Sequence, residues 1–551
     1  MAADKTPKAQ SKKPVEKKKD RAAEIANTFE WLITAFILAF VFRAFVMEAF
    51  RIPTGSMADT LKGAHFRLRC PECGYKYDHG FVPQHPQYRL PPDTIPSGTV
   101  PVQPTHCPSC GYNVQAGAST PVANGDRILV LKCIYQFLEP KRWDVVVFKN
   151  PTDPSENYIK RLIGLPNEEI SIIDGDIYVD GQITRRPPKV QQEHWMPIYN
   201  HDYRPVHPNQ RGAFNRHRWR PPFNLDASAW QIDEQNPTQL VLDSPADQTN
   251  VLNYGGRSAN DFTVGYAYND VRMFANKPDC SDLMMRFYVE PDSAEGRVGI
   301  ALSKYGVEYR AWLDFSGQMV VARVDGDDET VLERQPVAAP NPGAFTLVKF
   351  ANVDHRLLFE FNGNRLTVDL GRAPDALEYR SDAPPSAAIF GAGKLTLSHV
   401  ALYRDIYYLS KADGGRTPRA TEEEPFQLND DEFFVLGDNS PNSEDGRWWS
   451  RPQVSSKGVE PPRAGVVPRY YLVGKALFVY WPSGFEFPWP GTLKNGLARK
   501  APRNVPAHLL YKLISLRWIP NVGQMRFIYG GTNGQDPPAP SEPALAQDSP
   551  R

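Results

Sequence analysis

Residues 157–166 read NYIKRLIGLP, with a lysine and an arginine set among apolar side chains. Alternation with a period of two predicts a β-strand in which Tyr158, Lys160 and Leu162 share one face. Lys160 then lies between an aromatic and an aliphatic side chain, which favours a partly desolvated amine. A lone lysine on an edge strand is more often a surface residue. A chemical role for Lys160 therefore depends on the segments around it.

The composition indicates a large protein with several folded units. Its 551 residues exceed one ordinary domain, and its 52 prolines favour loops and strands over long helices. The 63 basic and 63 acidic residues balance, so no nucleic-acid partner is expected. Residues 1–27 are an exception, because eight Lys or Arg against three acids within residues 1–21 predict a solvated basic tail on the cytoplasmic side.

An apolar run follows the basic tail and predicts a transmembrane anchor at residues 28–49. Residues 31–42 read WLITAFILAFVF, and 17 residues separate Glu30 from Glu48, about 26 Å of helix against a bilayer core of roughly 30 Å. Arg43 lies near the outer end, where its side chain can reach the head groups. The basic tail predicts a cytoplasmic N-terminus. The alternatives are a buried helix of a soluble domain and a cleavable signal peptide, the latter disfavoured because no small-x-small site follows.

Five further segments carry short motifs along the chain. The first is PTGSM at residues 53–57, where Ser56 lies in a Gly-containing turn just after the predicted anchor. The others are GDRILV (125–130), DVVVF (144–148), GDNSPNSEDGR (437–447) and VGKALFVYW (473–481). A serine in a loop is by itself nearly always structural. The functional indication therefore comes from the whole set of motifs and from their order along the chain.

With YIKRLIGLP at 158–166, these motifs resemble the boxes of the bacterial type I signal peptidases (leader peptidases), in the family's order. The resemblance implies a β catalytic core and a membrane-bound serine endopeptidase that removes signal peptides from secretory preproteins at small-x-small sites, without a catalytic cofactor. The endoplasmic-reticulum branch carries His at the position of Lys160, so the prokaryotic branch is the better match. The implied location is the bacterial cytoplasmic (inner) membrane, single-pass, with the catalytic domain on the outer or periplasmic side. The implied partners are preproteins, the lipid bilayer and the secretion translocon.

By the same resemblance, Ser56 is the nucleophile and Lys160 its general base. Free lysine has a pKa near 10.4, so keeping it neutral at pH 7 costs about 4.6 kcal/mol and requires burial. A neutral Lys160 can take the hydroxyl proton as Ser56 attacks the scissile carbonyl, the Ser-Lys variant of triad chemistry. The resemblance assigns the oxyanion to the Ser56 backbone N–H and to the hydroxyl of Thr54, where the family more commonly has Ser.

The GDNSPNSEDGR segment contains the supporting residues that the resemblance implies. Ser443 matches the hydroxyl that orients the lysine. Asp445 and Arg447 match a carboxylate–guanidinium pair that holds the framework of the site. Ser440 and Pro441 depart from the family pattern, which has Arg and Asp there. This departure puts the usual ion pairs of the loop in doubt and leaves the dyad unaffected.

Residues 67–120 depart from a minimal family member and contain two C-P-x-C-G motifs. Such a knuckle turns two thiolates toward one tetrahedral ion, so the pair predicts a zinc ribbon with a structural Zn²⁺ and no open position for catalysis. Disulfides are the alternative, because an extracytoplasmic location permits them. The predicted ligands are Cys70, Cys73, Cys107 and Cys110, whereas Cys133 and Cys280 are predicted to be free.

A second insertion, residues 191–425, is dense in strand signals and predicts a β-sandwich. Asn362-Gly363 predicts one of its hairpins. The pattern resembles concanavalin A-like or laminin-G-like jelly rolls, and a binding module and a spacer are both consistent with it. We expect it to fold as its own unit, so that a linker in place of residues 195–418 leaves peptide cleavage intact. The predicted strands are 283–291, 297–303, 309–315, 318–324, 345–353, 356–370 and 394–409.

The fold class is therefore mainly β, and three separate pieces of the chain make up the predicted catalytic core. These pieces are 50–66, 121–190 and 426–485. Asp174-Gly175 and Asp180-Gly181 predict two hairpins in the second piece. Residues 486–531 are predicted as a C-terminal extension on the membrane surface, and residues 532–551 as a disordered tail. The alternative function is a catalytically inactive, membrane-tethered binding protein that uses the sandwich.

Overall fold

The computed structural model describes residues 21–92, 94–96, 98–114, 117–210, 214, 218–255, 261–269, 278–371, 383–411, 416–450, 461–482 and 521–531. Within these residues the chain is mainly β, with one long apolar helix near the N-terminus, as the sequence predicts. Most of the predicted basic tail, most of the predicted C-terminal extension and the predicted tail at 532–551 lie outside the described residues.

The described residues form three α-helices and thirty strands. The helices are α1 (Arg21–Val41), α2 (Ile134–Phe137) and α3 (Pro188–His194). The strands are β1 (Met47–Arg51), β2 (His65–Arg69), β3 (Lys76–Gly80), β4 (Thr99–Pro101), β5 (Ser119–Ala123), β6 (Arg127–Leu131), β7 (Val145–Lys149), β8 (Asn157–Gly164), β9 (Glu169–Ile173), β10 (Asp176–Val179), β11 (Gln182–Ile183), β12 (Met196–Asn200), β13 (Gln231–Ile232), β14 (Leu240–Asp243), β15 (Asn250–Asn253), β16 (Leu283–Pro291), β17 (Arg297–Lys304), β18 (Val307–Asp314), β19 (Gln318–Asp325), β20 (Asp328–Pro336), β21 (Thr346–Val353), β22 (Arg356–Phe361), β23 (Asn364–Asp369), β24 (Ala387–Ala392), β25 (Lys394–Arg404), β26 (Phe426–Gln427), β27 (Glu432–Leu436), β28 (Val467–Pro468), β29 (Leu472–Trp481) and β30 (Arg526–Phe527).

Helix α1 continues through a π-helical turn at Phe42–Val46 directly into β1. The segment Glu24–Val46 has 23 residues and is apolar enough to cross a membrane. Its length of about 34 Å exceeds a bilayer core of roughly 30 Å. Its large apolar side chains are exposed, among them Trp31, Phe36, Leu38 and Phe40. The helical segment therefore ends at residue 46, three residues before the predicted boundary of the anchor, because the backbone there turns into a strand.

An eight-stranded antiparallel sheet lies at the centre of the core, in the order β1-β6-β29-β7-β8-β27-β28 with β30 beside β29. β1 pairs with β6 from Met47 opposite Leu131 to Arg51 opposite Arg127, so the apolar helix leads straight into the sheet. β8 is an interior strand between β7 and β27. Lys160 therefore lies inside the sheet, and the alternative of a surface lysine on an edge strand is wrong.

Residues 521–531 belong to the predicted membrane-surface extension but pack on this sheet. β30 pairs with β29, with Phe527 opposite Phe478. The carbonyl of Tyr529 accepts a hydrogen bond from the guanidinium of Arg161 at 3.2 Å. Strand pairing and this hydrogen bond, which is partly buried, show that the described part of the extension packs on the core.

A smaller core sheet, β11-β10-β9-β26, is built from two tight hairpins. Asp174-Gly175 joins β9 to β10, and Asp180-Gly181 joins β10 to β11. The four φ angles are 49°, 88°, 50° and 73°, the left-handed conformation that two-residue turns of type I′ require. Both predicted hairpins are confirmed.

A four-stranded sheet, β3-β2-β5-β4, carries the two cysteine motifs. The first motif lies in the turn between β2 and β3, where the Gly74 N–H donates to the Cys70 carbonyl at 3.0 Å. The second motif repeats this turn, since the Gly111 N–H donates to the Cys107 carbonyl at 2.9 Å. The two knuckles thus have the same backbone geometry.

Two antiparallel sheets form the predicted β-sandwich. One has the order β13-β14-β25-β16-β21-β22-β23 with β12 beside β25, and the other has the order β15-β24-β17-β18-β19-β20. An apolar cluster that includes Phe287, Ile300, Leu313 and Phe350 fills the space between them. The predicted Asn362-Gly363 hairpin joins β22 to β23. Sequence reasoning missed the short strands β12, β13, β14 and β15, the buried small-residue strand β24 and the mostly exposed, charged edge strand β20.

A buried ionic network joins the sandwich to the predicted catalytic core, which differs from the expectation of an independent insertion. Arg186 of the core contacts Asp354 of the sandwich at 2.5 Å. Lys304 of the sandwich contacts Asp176 of the core at 3.3 Å and also pairs with Asp282. All five side chains are buried. Because removing one partner of a buried pair leaves an uncompensated charge, the two units are energetically coupled.

Candidate active site

The loop that follows β1 holds Ser56 in a fixed, nearly buried position. Ser56 is 8% exposed, and its neighbour Met57 is fully buried. Met57 and Leu61 pack into an apolar cluster with Ile128 and Val130 of β6. The Leu61 N–H donates to the Met57 carbonyl at 2.7 Å. Apolar side chains on both sides of a tight turn therefore anchor the serine to the central sheet.

Lys160 meets Ser56 from the opposite direction along the chain. The Nζ of Lys160 lies 2.7 Å from the Oγ of Ser56, and the lysine is only 4% exposed. Nζ also lies 5.4 Å from the centre of the Tyr158 ring, so these side chains share a face of β8 as predicted. Burial lowers the pKa of Lys160 from 10.5 to about 8, although the carboxylate of Asp445 opposes this shift. At pH 7 roughly a tenth of the amine is then neutral.

Asp445 and Arg447 form a fully buried pair behind the dyad. Arg447 donates to Asp445 through Nε at 2.9 Å and through Nη2 at 2.7 Å. Asp445 also accepts a hydrogen bond from the Gly437 N–H at 3.0 Å. Ser440, which departs from the family pattern, accepts hydrogen bonds from Arg447 at 2.7 Å and from the Leu409 N–H at 2.8 Å. A hydroxyl therefore takes part in the hydrogen bonding of this loop without a further ion pair at that position.

The two other predicted hydroxyls lie in different surroundings, one buried and one exposed. The Ser443 hydroxyl is buried and has no hydrogen-bond partner among the described residues, so the implied contact to Lys160 is not formed. It lies against Gly437, where any Cβ would overlap the Ser443 hydroxyl and the Ser56 carbonyl. Thr54 is exposed two residues before the serine.

Sequence reasoning missed a second buried ion pair beside the dyad. Arg161 donates to Asp438 through Nε at 2.8 Å and through Nη2 at 2.6 Å. Its Nη1 donates to the carbonyl of Trp143 at 2.9 Å, and the His194 ring lies 3.5 Å from Asp438. Alternation along β8 already places Arg161 on the face opposite Lys160, and an arginine inside a strand requires an acidic partner. The sequence does not indicate which acid that is.

The four predicted cysteine ligands converge. The Sγ atoms of Cys70 and Cys110 lie 3.6 Å apart, as do those of Cys73 and Cys107. All four sulfurs lie within 4.8 Å of one another. A tetrahedral zinc ion with Zn–S bonds of about 2.3 Å separates its sulfurs by about 3.8 Å. The thiol donor set therefore fits a structural zinc ion. All six cysteines, including Cys133 and Cys280, are free of disulfides.

The family model described as "Signal peptidase, peptidase S26" matches residues 110–214 and 391–481. The matched residues contain Lys160, Ser443, Asp445 and Arg447, whereas Ser56 lies before them. They cover less than half of the chain, so the match supports a peptidase of this kind without covering Ser56.

Related proteins carry the same description. The chain is 30% identical over 159 residues to signal peptidase I of Rickettsia canadensis (strain McKiel), which covers 28% of this chain and 44% of that protein. It is also 30% identical over 154 residues to signal peptidase I of Rickettsia prowazekii (strain Madrid E), which covers 28% of this chain and 43% of that protein. The chain thus spans less than half of the length of these relatives.

Two of the solved structures that match the chain resemble it only weakly. The exoplasmic/lumenal domain of VIP36 matches 35% of this chain and 91% of its own, with 12% identity and a TM-score of 0.24. A Bacillus subtilis protein with a galectin-like fold matches 38% of this chain and 98% of its own, with 8% identity and a TM-score of 0.24. At these TM-scores the likenesses support no conclusion. The resemblance of the sandwich to a concanavalin A-like or laminin-G-like fold stays a prediction.

Proposed function

We propose that the chain is a membrane-anchored type I signal peptidase that cleaves preproteins with Ser56 as nucleophile and Lys160 as general base. The observation that carries the proposal is the 2.7 Å contact between the two side chains, which lie 104 positions apart in sequence. The depressed pKa of the buried lysine supports it, because a general base works best when its pKa is near the working pH. The family match and the Rickettsia relatives point to the same class.

The proposed reaction is acyl transfer. Neutral Lys160 accepts the Ser56 hydroxyl proton while Oγ forms a bond to the scissile carbonyl carbon. The resulting ammonium gives this proton to the leaving amine as the peptide bond breaks, which leaves an acyl-serine ester. Lys160 then activates water for hydrolysis of the ester, which releases the signal peptide and restores the serine. The Ser56 N–H and the Thr54 hydroxyl are the proposed donors to the oxyanion.

The supporting residues keep the dyad in place. Arg447 holds Asp445, and Asp445 holds the Gly437 N–H, so the backbone beside Ser56 is fixed by a buried pair. Ser443 is proposed, by the resemblance, as the hydroxyl that orients the lysine when a substrate is bound. A catalytic group held in one geometry loses less entropy on reaching the transition state.

The membrane context is part of the proposal. The segment Glu24–Val46 is proposed to span the cytoplasmic (inner) membrane of a bacterium once, with the basic N-terminal tail in the cytoplasm and the catalytic core on the outer side. The proposed substrates are secretory preproteins with small-x-small cleavage sites, which arrive through the bilayer or from the secretion translocon. Since β1 begins directly after the span, the dyad would lie close to the membrane surface.

A structural zinc ion in the four-cysteine ribbon completes the proposal. Cys70, Cys73, Cys107 and Cys110 would hold it. The ion would cross-link the two knuckles. Its role would be structural, because a site filled by four thiolates has no position left for a substrate or water.

Cleavage of a synthetic signal peptide by the detergent-solubilised full chain tests the function. Ser56→Ala and Lys160→Arg are each expected to lower the rate by more than about a thousandfold, because one removes the nucleophile and the other cannot give up its proton. The matched controls Ser155→Ala and Lys149→Arg change exposed side chains and should keep normal rates. A folded Ser56→Ala variant with near-normal turnover would refute the assignment. A wild-type chain that folds without cleaving would favour the inactive binding protein.

A further inference from the structure

One loop of the sandwich insertion, residues 264–269, packs against the loop that carries the nucleophile. The Tyr268 carbonyl accepts a hydrogen bond from the Gly80 N–H at 2.8 Å, and the Tyr268 hydroxyl donates to the Ala64 carbonyl at 3.3 Å. A Cβ at Gly55 would overlap the Tyr268 ring. The insertion therefore reaches the residue that directly precedes the nucleophile.

Asn439 connects this loop to the nucleophile. It is completely buried. Its backbone N–H donates to the Ser56 carbonyl at 3.0 Å, and its side-chain Nδ2 donates to the Gly55 carbonyl at 2.9 Å. A peptide unit is planar and trans, so its C=O and N–H point in opposite directions. Holding the Gly55 carbonyl therefore also sets the direction of the Ser56 N–H.

Asn269 of the insertion fixes the orientation of the Asn439 carboxamide. The Asn269 Nδ2 donates to the Asn439 Oδ1 at 2.7 Å, and the Asn439 Nδ2 donates to the Asn269 Oδ1 at 2.8 Å. Asn269 is only 4% exposed, and its backbone N–H donates to the Tyr266 carbonyl at 2.9 Å. A rotated Asn439 amide would place oxygen against oxygen and would lose the donor to the Gly55 carbonyl.

We propose that Asn269 is a positioning residue for the oxyanion donor Ser56 N–H and that it acts through Asn439. The inference rests on the proposed function, and it makes the β-sandwich a component of the catalytic unit. Asn269 touches no reacting atom. Its contribution is the fixed direction of one peptide plane, which matters most when negative charge develops on the substrate oxygen.

The test is steady-state cleavage of the synthetic signal peptide by the full-length Asn269→Leu variant. Loss of one oxyanion donor lowers kcat by about 100- to 1000-fold, and a misdirected donor should lose part of that, roughly 10- to 100-fold. KM should change by less than about threefold, because the uncharged ground state depends little on this donor. The pH of half-maximal rate should stay as in wild type, since Asn269 makes no contact with Lys160 among the described residues.

A coupled variant and a matched control separate positioning from general damage. In an Asn439→Leu background, adding Asn269→Leu should lower kcat by less than a further factor of about two, because both substitutions act through the Asn439 carboxamide. Asn352→Leu is the control, since Asn352 is a buried asparagine of the same insertion whose side chain has no hydrogen-bond partner among the described residues. It should retain wild-type kcat. If the leucine variant folds poorly, Asn269→Ser serves as a second test, because serine also lacks the carboxamide and has a smaller side chain.

Each outcome decides the inference. A wild-type enzyme that cleaves while Asn269→Leu and Asn269→Ser match the Asn352→Leu control overturns it and leaves the proposed function standing. A lower kcat together with a shifted pH of half-maximal rate also overturns the inference, because a shifted pH profile indicates damage to the Lys160 site. An inactive wild-type chain overturns the proposed function and this inference with it.

Discussion

Replacing Lys160 by Met separates the energetic cost of the buried amine from its chemistry. Burial lowers the lysine pKa from 10.5 to about 8. At 1.36 kcal/mol per pKa unit, this shift costs the folded state about 3 kcal/mol wherever the amine is charged in the unfolded chain and in the folded protein. Methionine has a similar length and no charge. It also loses the hydrogen bond to Ser56, worth about 1 kcal/mol. Lys160→Met should therefore be more stable than wild type by about 2 kcal/mol at pH 7, and inactive.

The pH dependence follows from the direction of the shift. Between pH 8 and 10.5 the unfolded chain binds more protons at this lysine than the folded protein does, so the stability of wild type rises with pH across this window. The methionine variant has no amine at this position, so its stability does not rise with pH for this reason. Its advantage should be full below pH 8, shrink through the window and vanish above about pH 10.5, where wild type keeps the extra hydrogen bond.

Thermal unfolding of both proteins in detergent at pH 7 and pH 10.5 measures the difference. At pH 7 the unfolding midpoint of Lys160→Met should be roughly 2 °C higher, because the unfolding entropy of a chain of 551 residues is large. The matched variant Lys149→Met, at an exposed position of β7, should show no such pH-dependent gain. A Lys160→Met protein that is less stable than wild type at both pH values would refute the view that the amine is held at a desolvation cost.

Two predictions concern the insertions. Purified protein should contain about one zinc per chain, and chelation should lower the unfolding temperature of the ribbon; elemental analysis that finds no metal, together with mapped disulfides among the four motif cysteines, would favour the oxidised alternative. Replacing residues 195–418 by a Gly/Ser linker should now lower peptide cleavage by more than tenfold, contrary to the expectation from sequence. The deletion removes Asn269 and leaves Arg186 and Asp176 without their sandwich partners. Near-normal turnover of a folded deletion protein would contradict this reasoning.

Features with a local chemical signature were accessible from the sequence. The hairpins at Asp174-Gly175 and Asn362-Gly363 could be predicted because left-handed turn positions select Asn, Asp and Gly. The cysteine knuckles could be recognised because their ligand spacing is short. Most sandwich strands could be located by alternation, whereas β24 was missed because its small residues carry no such pattern.

Contacts between side chains that are far apart in the sequence could not be predicted from local patterns. Ser443 was assigned to the lysine by resemblance, but the described structure forms no such hydrogen bond. The acid opposite Arg161 could have been any of 63 acidic residues, and only the pairing of β8 with β27 brings Asp438 beside it. Burial makes such a partner necessary, and topology selects it.

Local sequence was enough to predict the apolar N-terminal segment, the mainly β fold class, the cysteine set and the identity of the candidate serine and lysine. Three features became visible in the folded protein alone: Lys160 lies inside the central sheet, residues 521–531 pack on that sheet, and the insertion contacts the Ser56 loop through Tyr268 and Asn439 through Asn269. The difference lies in the separation along the chain over which each kind of interaction acts. Turn chemistry, periodicity and ligand spacing act between neighbours in the chain, whereas hydrogen bonds and ion pairs between distant segments depend on which strands the fold places side by side.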